Sequence, residues 1–237
     1  MKQTNILRGI FYIVGLLVLA LGIILNTKAG LGVSPIISVS YSISMILNMN
    51  FGNMTLILYS SFVVVEMFLH TREHFRKGKY LNLKVQLLKD ALQFPLSLIF
   101  TRFMNLFSAL IPAYDTPGVP VFYQSMTGRV MILVIGIILT GIGAAVSLNM
   151  RLIPNPGDGI VQAIADTVGK SVGLTKNCFD LFNITFTTCV GLIFAGEIIG
   201  IGVGTVLAVI GVGRVIAIFN HFLKERMGVL AGIEEWK

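Results

Sequence analysis

The residues best suited to chemistry cluster in two short turns that interrupt long apolar stretches. The first reads Ala29-Gly30-Leu31-Gly32-Val33-Ser34-Pro35, the second Leu152-Ile153-Pro154-Asn155-Pro156-Gly157-Asp158-Gly159. Ser34 and Asn155 are good N-cap residues, and Pro35 and Pro156 suit the first position of a helix. The two glycines of the first turn permit tight or left-handed backbone. Each turn thus predicts a helix start, either one whose N–H groups and positive dipole end face a shared central site and favour a polar or anionic group, or simply a well-capped start at the membrane interface. Asp158, in the first turn of the second helix, either closes a capping-box-like arrangement with Asn155 or holds a cation or proton. An intramembrane carboxylate is expensive to keep for packing alone.

Polar positions continue from both turns at helical spacing. Asn155, Gly159, Gln162, Asp166 and Lys170 form one stripe, and Ser34, Ser38, Tyr41, Ser42 and Met45 the other. Stripes of this kind on apolar helices fit a hydrophilic path, although Asp166 and Lys170 fit a solvated surface equally well. Within the long apolar stretches, Glu66, Asp180, Arg102 and Arg214 are the charges to explain. Glu66, Arg102 and Arg214 lie near enough to expected span ends to snorkel or else serve a substrate or ion path, and Asp180, with Asn177 and Asn183 nearby, carries the same path alternative. The residues nominated to contact a substrate are Ser34, Ser38, Tyr41, Asn155, Asp158, Gln162, Arg102 and Arg214.

The sequence offers no evident nucleophile–base pairing. Ser34 precedes a proline and has no obvious base, and His70, His74 and His221 belong near the expected cytoplasmic face. There is no HExxH, CxxC or phosphate-loop pattern, and Gly200-Ile201-Gly202-Val203-Gly204 reads as packing glycines within an apolar helix, together with Gly211 and Gly213. Cys178 and Cys189 share one apolar stretch and supply no disulfide framework. The expectation is a protein that is not an enzyme, with no cofactor and no metal.

The elements that position these residues follow from composition. Charged residues make up 12% of the 237-residue chain, hydrophobic residues 55%, and the mean hydropathy is +0.85. A water-soluble domain carries roughly twice that charged fraction, so a polytopic membrane protein is expected. The net charge of +7 comes from basic residues in short inter-helix segments, which argues against a nucleic-acid partner. Six spans of about 20 residues are expected at roughly 8–28, 52–70, 86–110, 128–149, 176–195 and 199–222. Two shorter apolar stretches, 35–49 and 157–171, reach only about 22 Å as helices and read as re-entrant half-helices.

Charge placement supports this count. Arg72, Arg76, Lys77, Lys79, Lys84 and Lys89 crowd one segment, whereas the loop from Ile111 to Met126 has no Lys or Arg. Lys2 and Arg8 precede the first span, and Lys224 and Arg226 follow the last. All these basic segments share the cytoplasmic side only if the half-helices do not cross, which puts both termini in the cytoplasm of a cell-membrane protein. Tyr80 and Tyr123 suit interfacial positions.

Shifting the sequence on itself by 121 residues aligns Gly22 with Gly143, Leu31 with Leu152, Pro35 with Pro156, Ile43 with Ile164 and Gly52 with Gly173. Arg102 and Arg214 correspond roughly. Both halves run in the order long helix, Pro-containing turn, short helix, Gly and two more helices. With three spans per half, the second half enters the membrane from the opposite side. The fold class expected is an all-α membrane protein of six transmembrane helices and two re-entrant half-helices in a 3+3 inverted repeat, with repeats 1–111 and 112–237.

The Gly-Leu-Gly-Val-Ser-Pro turn, the Pro-Asn-Pro-Gly-Asp-Gly turn and the six-span layout together resemble the YitT/YczE-like integral membrane proteins, over nearly the whole chain. The resemblance implies a membrane location and leaves the substrate open. YitT-type members tend to carry a soluble carboxy-terminal domain, so a chain ending about fifteen residues after the last span is nearer the shorter YczE type. The expected function is a small transporter or facilitator for an unidentified polar or ionic solute. The alternative is a non-transporting scaffold or assembly factor that docks through the basic 72–89 segment. Expected partners are membrane lipids and a small solute, with self-association into a homo-oligomer left open.

Overall fold

In the computed structural model, which describes residues 2–78 and 82–233, every regular element is a helix. Lys79 and Tyr80 lie outside the described residues. The helices are α1 (Lys2–Ala29), α2 (Pro35–Ile46), α3 (Phe51–Lys77), α4 (Leu83–Ala91), α5 (Gln93–Leu110), α6 (Val121–Gln124), α7 (Met126–Asn149), α8 (Pro156–Val168), α9 (Val172–Ala195) and α10 (Val203–Leu230). Five of them, α1, α3, α7, α9 and α10, contain stretches long and apolar enough to cross a membrane.

Short helices are present at the two expected places, starting at the expected prolines and ending slightly earlier than the sequence suggested, at Ile46 and Val168. The third expected span, 86–110, is instead two helices, α4 and α5, joined through Leu92. Pro95 explains the interruption, because it has no N–H for the Ala91 carbonyl and its ring crowds that oxygen. The last span also differs from expectation. Gly200 and Gly202 precede α10, so the helix starts at Val203 and runs to Leu230.

The spacing of 121 residues extends well beyond the identities first noted. Pro35 and Pro156 open α2 and α8, and Phe51 and Val172 open α3 and α9. Left-handed backbone recurs at the same offset, at Gly30 and Arg151 and again at Asn48 and Gly169. The interrupted α4–α5 stretch, Leu83–Leu110, matches α10, Val203–Leu230, at both ends with an offset of 120. At 121, Arg214 falls opposite Gln93 and not Arg102.

The chain divides into two compact units, each drawing on both sequence halves: Met1–Ser34, Phe103–Leu152 and Gly200–Lys237 in the first, Pro35–Arg102 and Ile153–Ile199 in the second. The first unit is built on α1 and α7. The Cβ position of Gly15 lies 2.7 Å from Ser147 N, that of Gly22 crowds Thr140, that of Gly136 crowds Asn26, and that of Gly143 crowds Leu19 N. Rising numbers on one helix meet falling numbers on the other, so the two helices cross antiparallel. Small residues at such a crossing allow backbones to touch, which is how helices gain dispersion energy where lipid removes the hydrophobic drive.

Two arginines close the ends of this pair. Arg8 donates from Nε to Met150 O at 2.7 Å and from its guanidinium to Arg151 O at 2.9 Å. Arg129 donates in the same way to Ala29 O at 2.9 Å and Gly30 O at 2.7 Å. Donors and acceptors are all related by 121 residues, so each arginine at the start of one helix caps the carbonyl end of the other. Arg129 also lies 3.8 Å from the centre of the Tyr114 ring. Beside this end, Val33 N donates to Gly200 O at 3.0 Å and Gly204 N to Leu31 O at 2.7 Å. Gly202 and Gly204 therefore serve a backbone-to-backbone turn contact and not the helix packing expected of them. Any Cβ there would press on Leu31 O, at 2.5 and 2.8 Å.

Candidate functional site

The short helices α2 and α8 both belong to the second unit, with α3, α4, α9 and the first part of α5. Their N-terminal turns meet. The Ile36 side chain lies 3.5 Å from where a Gly157 Cβ would be. These two residues are 121 apart, so the contact maps onto itself under the sequence offset. Around the junction, α2 packs on α9 and α3, while α8 packs on α3 and α9.

At the start of α8, the Asn155 side chain accepts from Gly157 N at 3.1 Å, and its carbonyl accepts from Asp158 N and Gly159 N at 2.9 Å each. The free amides expected of this turn are thus taken locally, leaving the dipole and side chains to act on a ligand. Asn155 caps through the second helical N–H, and among the described residues no bond returns from Asp158 to Asn155. Asn155 also hydrogen-bonds the buried Tyr59 of α3. Asp158 is half-buried, in the field of Lys176 and Asp180 of α9, which pair with each other at 3.4 Å.

On α2, the fully buried Ser38 donates to Pro35 O at 2.6 Å and shares a 2.8 Å hydrogen bond with Thr187 of α9. Ser40 bonds Thr55 of α3 at 3.1 Å. Tyr41 is half-buried with its ring edge-on to Phe51 at 5.5 Å. At the offset of 121, the Ser38–Thr187 pair corresponds to Gly159 and Glu66. Those residues do meet: a Cβ on Gly159 would lie 2.5 Å from Glu66 Oε1.

The remaining nominated residues are more dispersed. Gln162 is exposed, because the buried face of α8 consists of Pro156, Gly157, Gly159, Ile160, Val161, Ala163 and Ala165. Arg102 is exposed and donates to Asn53 Oδ1 at the start of α3. Ser34 and Arg214 fall in the first unit, half-buried and exposed respectively. Ser38, Tyr41, Asn155 and Asp158 are the members that the second unit gathers near the half-helices.

The sequence reading undervalued a polar seam between α3 and the α4–α5 stretch. Gln93 Nε2 donates to Glu66 Oε2 at 2.7 Å, His70 Nδ1 lies 2.7 Å from Asp90 Oδ2, and Gln86 Nε2 donates to Asp90 Oδ1 at 3.1 Å. Glu66, His70, Asp90 and Gln93 are all buried. Glu66 looked close to a span end only because the span was drawn to stop near residue 70. The Gly78 C-cap, with its left-handed backbone, carries α3 on to Lys77 and puts Glu66 well inside the helix. A usable signal was the spacing of Glu66, His70 and Glu73, three ionisable residues on one helical face.

Residues 6–221 match the profile of a family described as of unknown function, DUF6198. The chain belongs to that family. It is 26% identical over 219 residues to a Bacillus subtilis protein titled "Uncharacterized membrane protein YczE", covering 91% of this chain and 86% of that protein. It is 23% identical over 229 residues to "Uncharacterized protein YyaS" of the same organism, covering 94% of this chain and all of that protein. No solved structure matches. The family match, the YczE relative and the long apolar helices make this DUF6198 member a YczE-like multi-pass membrane protein.

Proposed function

We propose that this protein is a small transporter or facilitator for a polar or ionic solute, acting without enzymatic chemistry and binding at the junction of the two half-helices. The observation that carries the reading is the meeting of the α2 and α8 starts at Ile36 and Gly157, with the buried polar contacts Ser38–Thr187 and Glu66–Gln93 in the same unit. Polar groups buried in a membrane protein are costly and concentrate along substrate or ion pathways. Short helices opening beside them resemble the discontinuous helices of secondary transporters, whose sites lie where repeats meet.

A 3+3 inverted repeat follows from the same reading, with the interrupted α4–α5 stretch as the sixth span. Its supports are the recurrent offset, the antiparallel α1–α7 crossing and the two arginine clamps. Six spans put both termini on one face, and the basic segments assign that face to the cytoplasm of the cell membrane.

Purified protein in liposomes tests the proposal. Wild-type protein is expected to carry at least one member of a panel of small anions, cations, amino acids and vitamins, and to be stabilised thermally by the same compound. Asp158→Asn and Asn155→Ala should each reduce that flux about tenfold or more, equivalent to roughly 1.4 kcal/mol of lost interaction. Gln162→Ala, on the exposed face of α8, should change it less. Flux unaffected by Asp158→Asn removes the half-helix junction as the site. Absence of both flux and stabilisation across the panel favours the scaffold reading.

A further inference from the structure

The Glu66–Gln93 contact leaves a specific chemical residue. Gln93 Nε2 donates to Glu66 Oε2 at 2.7 Å, yet Glu66 Oε1 and Gln93 Oε1 have no hydrogen-bond partner among the described residues. Glu66 is 1% exposed and Gln93 fully enclosed, so water does not supply the missing donor from bulk. Two enclosed acceptors on two groups already joined by one hydrogen bond cost several kcal/mol if left as they are. A carboxylic acid facing a primary amide has a simple remedy. The amide N–H bonds one carboxyl oxygen, and the acid O–H bonds the amide oxygen, so one proton satisfies both acceptors.

We propose that Glu66 is a proton-binding site, held as a neutral acid whose Oε1–H is donated to Gln93 Oε1. Proton loss leaves a carboxylate on Glu66, keeps the Nε2–H bond and strips Gln93 Oε1 of its donor. The two states therefore differ by one charge and one hydrogen bond at the α3–α5 contact, directly against Gly159 in the first turn of α8. Resting on the transport reading above, this is the coupling proton, because its gain or loss is felt at the start of a half-helix.

The charges facing Glu66 fit the assignment. From α8 comes Asp158 and from α4 Asp90, the latter engaged with His70 of α3. On α3 itself, Glu73 lies two turns further along and is also buried. On α5, Arg102 is held by Asn53 at the opposite end of α3, and α2 carries no charged residue. On α9, which touches α3 through Phe179 and Phe62, Lys176 pairs with Asp180 beside Asp158, so the groups acting on Glu66 itself are the acidic Asp158 and Asp90 and a bare carboxylate there would add to an enclosed acidic site.

Infrared spectroscopy of the full-length protein in liposomes provides the test, since a protonated carboxyl has a carbonyl stretch well separated from carboxylate bands. At neutral pH, wild-type protein should show this band, and it should shift when glutamate is supplied carbon-13 labelled. The band should disappear in Glu66→Gln and persist in Glu73→Gln and Asp158→Asn. No glutamate-derived acid band at neutral pH, or one that survives Glu66→Gln, overturns the proposal. Should the variant fail to fold, the labelled wild-type protein still decides whether a glutamic acid is protonated, and Glu73→Gln removes from contention the other glutamate buried among the described residues. A band with the expected behaviour in a protein that carries no solute leaves the proton site standing and removes transport. Solute flux without the band does the reverse.

Discussion

Two sets of contacts related by the same 121-residue offset have very different chemistry. At the ends of the α1–α7 pair, Arg8 and Arg129 make the same two bonds to equivalent carbonyls. Where the half-helices meet their long partners, Ser38 and Thr187 share a neutral hydroxyl bond, whereas the equivalent place sets the Glu66 carboxyl against Gly159. Helix-end carbonyls pose the same problem in both halves, and an arginine fork solves it twice. The half-helix contacts are free of that requirement. One is an ordinary polar clasp, and the other holds an ionisable group against a residue with no side chain. The departure from internal symmetry thus lies in chemistry as well as packing, an ionisable group standing where its counterpart is a hydroxyl.

The largest effect should come from filling the antiparallel crossing. Gly22→Leu and Gly143→Leu each drive a side chain into backbone of the facing helix, and each is expected to cost roughly 3 kcal/mol or more. The measurement is thermal unfolding in detergent, with Gly213→Leu as a control, since no atom lies within 4 Å of a Cβ there. Unequal effects at Gly22 and Gly143 would break the symmetric half of the comparison.

Smaller losses, about 2 kcal/mol each, are expected for Arg8→Ala and Arg129→Ala, because two charge-assisted bonds disappear and their exposed parts are screened. Lysine at either position should recover only part of the loss, since it lacks the planar fork. Arg129→Ala should be slightly the worse of the two through its Tyr114 contact. The smallest change belongs to the neutral clasp. Thr187→Val and Ser38→Ala should each cost about 1 kcal/mol, against about 1–3 kcal/mol for Gly159→Ala, whose Cβ presses on the Glu66 carboxyl. Equal costs at Ser38 and Gly159 would show that these two places are not chemically distinct.

Much of this was legible along the chain. Uninterrupted hydropathy identifies the long helices, and Pro35 and Pro156 mark the half-helix starts because proline's fixed φ and missing N–H suit a first turn. The repeat showed through Gly22 and Gly143, although Arg8 with Arg129 and Gly15 with Gly136 obey the same offset and are its stronger members. Helix ends were less accessible. A span ending at residue 70 sets Glu66 near a helix end, whereas α3 runs on to Lys77, and Pro95 interrupts a stretch that composition alone makes continuous.

Residue type and spacing by themselves determine a multi-pass helical protein, two short helices and their capping by residues such as Asn155, because these depend on local backbone chemistry and on burial within about twenty residues. Only the tertiary structure decides that both half-helices lie in one unit drawn from both sequence halves, that Gln162 faces outward, and that Glu66 meets Gln93 and Gly159. Those contacts join positions 27 and 93 residues apart in the chain. They arise from how whole helices pack, which no local preference specifies.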